Sequence, residues 1–380
     1  MYLFLDLKQL ETTITDVSNF TVIRNGKRIQ LKIPEFLYDS DMFSFKGNFS
    51  GFLSDFVTFG TLKSKWGTVK TDVSVIPKKD GVYSYRGRIS TTNFDIGKLL
   101  KIEDIGKITF NGNADGDFKI SDKTISGLFK GEISKLEAKQ YVYENIKLDG
   151  YYKDKMFDGM VSVNDSNLQF EFLGRWDASG ELPNFDFNLH ADKIVPGKLN
   201  IAKNIYQSEI AFNMKAKFTG NKIDNLTGVI IVDDGYYKNK NGKFSLDGIQ
   251  LISVPKEAST ELSFNSSYLD IKVDGIYQFQ DIWNSLKSTM NKYVPALNFE
   301  TSKIQKPNLF DYRIIFKNLD DLTHVFNPDI NVETPFLLYG KMDSEHSDFQ
   351  LEGSIPGFQY KNVWFRNIFV SNKVIDEQYI

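Results

Sequence analysis

The 380 residues carry 46 Lys+Arg against 49 Asp+Glu, a net charge of -3, and the basic residues are spread along the chain, so no stripe suited to nucleic acid is present. The absence of cysteine excludes disulfides, thiol nucleophiles and Cys-ligated zinc. A hydrophobic share of 41% is enough for a folded core, and 32 Phe and 18 Tyr against 4 Trp make the apolar class one that favours strands.

The opening Met1–Leu5 run is too short for a signal core or a membrane span, and no later run approaches the ~20 apolar residues that a spanning helix needs. Strand patterns follow. Phe43, Phe45 and Phe49 share a parity with Gly47 and Gly51; Tyr83, Tyr85 and Ile89 share one; so do Phe110, Ala114, Phe118 and Ile120. Leu168, Phe170, Phe172 and Trp176 continue the series, then Phe185 and Phe187, then Ile210, Phe212, Met214, Ala216 and Phe218. Leu262 with Phe264, Ile271 with Val273, and Tyr312, Ile314 and Phe316 complete it. Side chains in a strand alternate faces, so each run places its apolar set on one side and Lys, Asp, Asn, Ser or Thr on the other.

Asx-Gly and related pairs punctuate these runs at Lys79-Asp80-Gly81, Asn111-Gly112, Asp115-Gly116, Asp149-Gly150, Asp158-Gly159, Asp234-Gly235, Asn241-Gly242 and Asp247-Gly248, and they predict hairpin turns. Lys238, Lys240 and Lys243 decorate one such tip. Short helices are predicted at Phe94–Leu100, Val195–Ile201 and Leu319–Phe326. A longer one is predicted at Asp281–Tyr293, with Asp281 as N-cap, Ile282, Leu286 and Met290 on one face and Pro295 as its stop. Segments recur at an offset near 101: Gly97-Lys98-Leu99 with Gly197-Lys198-Leu199, Ile108–Phe110 with Ile210–Phe212, and Ser166–Phe172 with Ser267–Val273. With only 10 prolines and no linker-like stretch, 1–380 reads as one continuous segment with approximate repeat units 83–181, 182–277 and 278–380.

Catalytic vocabulary is sparse. His190, His324 and His346 lack a second His at ligand spacing, and no nucleophile elbow, P-loop or dinucleotide fingerprint occurs. Asn111, Asn113, Asp115 and Asp117, with Asp122 in twelfth place, echo a calcium loop, but strands flank them where helices are required. The carboxylates fall on polar parities or in turns. The expectation is a protein that is not an enzyme, with no catalytic residue, no metal and no cofactor.

The order of these pieces resembles a known family. The carrying phrases are Phe43–Phe52, Asp55–Gly60, Trp66–Val73, Tyr85–Ile89 leading into Phe94–Leu100, then Tyr141–Gly150, Phe157–Gly159, Asp165–Phe170 and Tyr360–Val363. Together they resemble the TamB-like proteins of Bacteroidota, relatives of the inner-membrane component of the translocation and assembly module within the AsmA-like group. The likeness covers nearly the whole chain. Family features absent from it are the N-terminal membrane helix and the C-terminal domain that meets an Omp85-type outer-membrane barrel, so the chain reads as an internal segment.

The resemblance implies a mainly β fold: an elongated, twisted antiparallel or mixed sheet curled into an open hydrophobic groove (β-taco-like), with a few short helices. It implies a periplasmic, cell-envelope location, soluble in this segment, with the full-length protein anchored in the inner membrane. The implied function is to shield and convey phospholipid acyl chains toward the outer membrane, or to assist outer-membrane protein assembly and secretion. Implied partners are acyl chains here, and an Omp85-type barrel and the inner membrane through regions absent here; nucleic acid is not among them. The candidate groove lining is Phe43, Phe45, Tyr83, Tyr85, Phe110, Phe118, Leu168, Phe170, Phe172, Phe185, Phe187, Ile210, Phe212, Met214, Phe218, Leu262, Phe264, Ile271, Val273, Ile314 and Phe316. An outer-membrane β-barrel and an extracellular β-solenoid or adhesin are the alternatives, since their strands also alternate.

Overall fold

A computed structural model describes residues 2–19, 21–24, 27–30, 42–52, 55–119, 121–122, 124–202, 207–293, 296, 298–301, 307–372, 374–375 and 378–379. The chain is mainly β, with a few short helices, and its sheets are antiparallel and open. It divides into two compact units: Met1–Ser179 with Pro196–Tyr206, and Gly180–Val195 with Gln207–Ile380.

In the first unit the sheet is a meander. Leu3–Thr13, Met42–Phe52, Asp55–Ser64, Gly67–Pro77, Val82–Thr92, Ile105–Lys119, Thr124–Ala138, Tyr141–Lys153, Met156–Asn164 and Leu168–Asp177 each pair antiparallel with the next. In the second unit Asn184–Ile194, Glu209–Thr219, Thr227–Asn239, Ile249–Pro255, Thr260–Asn265, Leu269–Ile276, Leu309–Phe316, Phe336–Asp343, Asp348–Tyr360 and Val363–Asn372 follow the same rule. Gly242–Ser245 and Ile330–Val332 add short strands to Thr227–Asn239 and Asp348–Tyr360.

Most of the Asx-Gly pairs are not turns. Asn111-Gly112 and Asp115-Gly116 lie inside Ile105–Lys119, Asp149-Gly150 inside Tyr141–Lys153, Asp158-Gly159 inside Met156–Asn164 and Asp234-Gly235 inside Thr227–Asn239. Their polar member belongs to the solvated face, and the glycine that follows it belongs to the apolar face. There the glycines meet across strands: Gly47 opposite Gly60, Gly112 opposite Gly131, Gly116 opposite Gly127, and Gly159 between Gly150 and Gly174. A neighbouring aromatic ring fills the space: a Cβ on Gly60 would stand 2.7 Å from the Phe45 ring, and one on Gly150 2.6 Å from the Phe157 ring. This is the aromatic cover that strand glycines need in order not to leave a hole. At Gly47 the backbone itself requires glycine, because φ is +149° and a Cβ would overlap the Phe59 carbonyl and Gly60 Cα.

Lys79-Asp80-Gly81, Asn241-Gly242 and Asp247-Gly248 do sit at reversals. Several other reversals use residues without glycine: Lys139-Gln140 and Asp154-Lys155 turn with positive φ at both positions, the primed geometry that matches strand twist.

The predicted helices at Phe94–Leu100 and Leu319–Phe326 appear as Ile96–Leu100 and Asp320–Phe326. Val195–Ile201 forms a turn instead, closed by the Ile201 amide donating to the Pro196 carbonyl at 3.0 Å. The long helix runs Phe279–Tyr293, so Asp281 lies in its first turn and does not cap it; Pro295 lies outside the described residues.

Candidate apolar binding face

Direct cross-strand partners share a face, so the register assigns each candidate residue. In the first unit Phe45 faces Leu62, which faces Val69; Tyr83 faces Phe118; Phe110 faces Ile133; and Val163 faces Phe170 and Ile146. Phe43, Phe45, Tyr83, Tyr85, Phe110, Phe118, Leu168, Phe170 and Phe172 therefore lie on one apolar face of that unit. In the second unit Phe185 faces Phe218, Leu189 faces Met214, Phe264 faces Ile271 and Ile271 faces Ile314. Phe185, Phe187, Ile210, Phe212, Met214, Phe218, Leu262, Phe264, Ile271, Val273, Ile314 and Phe316 lie together there.

The two faces have different cover. In the first unit a concavity of about 310 Å³ is lined by Ile133, Leu136, Tyr143, Ile146, Leu148, Val161, Val163, Leu168 and Phe170. Leu168 and Phe170 are among the candidates; Val161 and Val163 keep the parity of Phe157 on an unbroken strand, whereas Ile133, Leu136, Tyr143, Ile146 and Leu148 do not share one parity along their strands. A register irregularity falls between Ile133 and Lys135, and Asn145 adopts φ +54°, so parity changes from Ile133 to Leu136 and from Tyr143 to Ile146. A phase change between two locally alternating pieces is the signal that could have found them.

Beside this concavity, Val73, Tyr85 and Ala114 form a small buried cluster with Val75, Ile89, Phe118 and Phe129 against it. Tyr85 lies across the sheet: its hydroxyl reaches over the Gly116–Gly127 pair and donates to the Ser126 carbonyl at 3.1 Å. Burial, with Asp117 and Asp115 nearby, pushes its phenol up to about 12.

In the second unit two helices cover the apolar face. Buried Leu262, Val273, Tyr277, Phe310 and Met342 pack beneath Phe279, Ile282 and Leu286 of the Phe279–Tyr293 helix. Met290, predicted for the same stripe, is exposed, and Ser285 and Thr289 are the buried positions of that helix. Ser285 is held by Asn308, whose side-chain NH2 donates to its hydroxyl at 3.1 Å while the Asn308 Oδ1 accepts from the Gln278 backbone N–H at 2.7 Å. The Phe279 amide donates to Asp224 at 2.7 Å. The Asp320–Phe326 helix seals Tyr237, Phe244, Tyr268 and Phe316 around Leu319 and Val325. Its Val325 carbonyl accepts from both Asn239 and Asn241 at 3.0 Å, which gives the Lys238–Lys243 hairpin tip a docking role. Tyr312 repeats the geometry of Tyr85: it passes Gly340, donates to the Gln350 carbonyl at 2.9 Å, and is pushed by burial to about 12.

Ion pairs cross strands on the opposite face. Arg86–Asp115 at 2.8 Å and Lys130–Asp149 at 2.6 Å stand in the first unit; Lys217–Asp186 at 2.9 Å, Lys272–Glu261 at 3.0 Å and Lys317–Asp270 at 2.6 Å stand in the second. This face is not wholly polar, since Phe59, Leu128 and Leu173 are exposed. The calcium-loop echo is resolved by the same pattern. Asn111, Asp115 and Asp117 sit at alternate positions of one extended strand and engage Arg88, Arg86 and Lys78, so they do not converge on a common point. Among the described residues no group of three His, Asp or Glu side chains is arranged to hold a metal, and no helix is long and apolar enough to cross a membrane.

His190 meets Asn213 at 2.5 Å and Asp192 at 3.1 Å, and His346 meets Asp343 at 2.7 Å, all in exposed positions. A polar hollow of about 410 Å³ in the first unit is bounded by Glu103, Asp104, Glu137, Lys139 and Asn200; Lys139 stands 3.6 Å from Asp104 within it. Comparison with known proteins finds no matching family model, no matching curated protein and no matching solved structure.

Proposed function

We propose that this chain is a segment of a TamB- and AsmA-like envelope protein of the periplasm, which shields phospholipid acyl chains and conveys them toward the outer membrane or aids outer-membrane protein assembly. The observation that carries the reading is the concavity on the first unit's apolar face, lined by aliphatic and aromatic side chains alone and free of helical cover among the described residues. Such a surface offers an alkyl chain burial without direction, and it leaves a headgroup free to stay wet. Each methylene kept out of water is worth roughly 0.8 kcal/mol, so two chains of ordinary length would face a barrier on the order of 20 kcal/mol or more without cover. No catalytic group is needed for this task. The sequence resemblance supplies the envelope setting, and the one-sided register in both units supports it.

Extraction of the detergent-free protein followed by mass spectrometry tests the reading. Phospholipid should accompany the native chain and be depleted in Val161→Asp, with the fold of that variant checked by circular dichroism. A native protein that carries no phospholipid, even after incubation with vesicles, would sink the proposal.

A further inference from the structure

One hairpin of the second unit differs from three others there. The turns at Lys240–Asn241, Lys256–Ser259 and Ser344–Ser347 carry charged and small polar side chains with alanine. The tip joining Asp348–Tyr360 to Val363–Asn372 instead exposes Tyr360 (46%), Val363 (55%), Trp364 (38%) and Phe365 (50%). Register places Tyr360 opposite Val363 and Phe358 opposite Phe365, so these four share one side of the tip, and Trp364 opposite Gln359 takes the other. The Phe358 and Phe365 rings are stacked at 6.3 Å, which makes the patch a preformed one.

Basic groups stand on both sides of the tip, Lys361 by Tyr360 and Arg366 on the side of Trp364. Lys361 Nζ stands 5.4 Å from the centre of the Tyr360 ring, and the Arg366 guanidinium 5.3 Å from that of Trp364. No Asp or Glu occurs from Gly357 to Arg366. Glu333, whose carboxyl lies against Gly357, forms a long ion pair with Arg366 at 3.9 Å; at that distance no hydrogen bond is made, and guanidinium N–H groups remain for a further acceptor.

Amphipathic rings with cations at their edge suit a lipid headgroup boundary, where the ring enters the interface and the cation meets phosphate. We propose that the Gly357–Arg366 hairpin is a docking tip for an anionic bilayer surface. The charge of Lys361 and Arg366 selects this occupant over a neutral apolar partner. The inference does not rest on acyl-chain carriage, since a tip can touch a bilayer while the concavity of the first unit stays empty.

Co-sedimentation of the full chain with phosphatidylcholine vesicles, with and without phosphatidylglycerol, tests it. The native chain should favour the anionic vesicles. Trp364→Ser combined with Phe365→Ser should weaken that binding by about tenfold or more, and Lys361→Glu with Arg366→Glu should remove the anionic preference, about fivefold per basic residue. Thermal melts check that both variants fold, and the charge pair, being exposed, keeps the test valid if the aromatic pair does not. Vesicle binding unchanged in both variants overturns the proposal. So does a change confined to the oligomeric state by light scattering, which would make the tip a contact between copies. Val161→Asp should leave vesicle docking intact, which separates this result from the acyl-chain reading.

Discussion

The apolar faces of the two units obey the same alternation, yet among the described residues one holds a concavity that no helix covers and the other is roofed by helices. The difference comes from what the chain inserts between strands. After Leu269–Ile276 it spends fifteen residues on Phe279–Tyr293, long enough to lay Phe279, Ile282 and Leu286 over the sheet. Among the described residues of the first unit the α-helices inserted between strands are Ile14–Asn19 and Ile96–Leu100, six and five residues, each too short to roof neighbouring strands. Alternation thus specifies a one-sided sheet, and among the described residues a long inserted helix makes that side core in the second unit.

The sharpest way to break the comparison is to disturb the glycine contacts beneath the first face. Gly47→Ala places a Cβ against the Phe59 carbonyl and Gly60 Cα at φ +149°, where neither backbone nor side chain can yield. A loss of about 3 kcal/mol is expected in denaturant unfolding of the first unit, with the second unit's transition unmoved. Somewhat smaller is the effect of removing the polar anchor under the roof. Asn308→Ala strands the Gln278 amide and the Ser285 hydroxyl in a fully buried site, at about 2 kcal/mol, and should expose the second face to a hydrophobic dye.

The smallest expected effect is common to both units. Tyr85 and Tyr312 hold their phenols at about 12 in the folded state against an ordinary 10. Because the folded state retains protons that the unfolded chain releases, their contribution is complete below pH 10 and is lost as pH rises toward 12. Tyr85→Phe should cost about 1 kcal/mol at neutral pH through the unsatisfied Ser126 carbonyl, and it should flatten the alkaline decline of the first unit only. Thermal melts across that pH window would show whether the decline belongs to these residues.

Much of this was legible in the chain. The apolar parities of Phe110, Phe170, Phe212 and Phe264 each fall on the face that the register assigns, because period 2 is enforced by the strand itself. The Asp-Gly and Asn-Gly pairs misled for a physical reason: a polar outward residue followed by an inward glycine spells the same dipeptide as a primed turn. Ile146 and Leu148 were hidden by the phase change at Asn145, since a positive φ inside a strand leaves no mark in hydrophobicity. The apolar face of Ile282 and Leu286 was legible in their spacing, but Met290 points away because Ser285 and Thr289 take the buried stripe.

The absence of native cysteine permits the most direct test of the central claim, that the first face is open to acyl chains and the second is not. Single variants Val161→Cys and Val273→Cys would be reacted with a thiol reagent in lipid-free protein and again after loading with phospholipid. The account predicts rapid labelling at position 161 that lipid suppresses, and slow labelling at position 273 in both states. Equal rates at the two positions, or labelling at 161 that lipid does not slow, would contradict it.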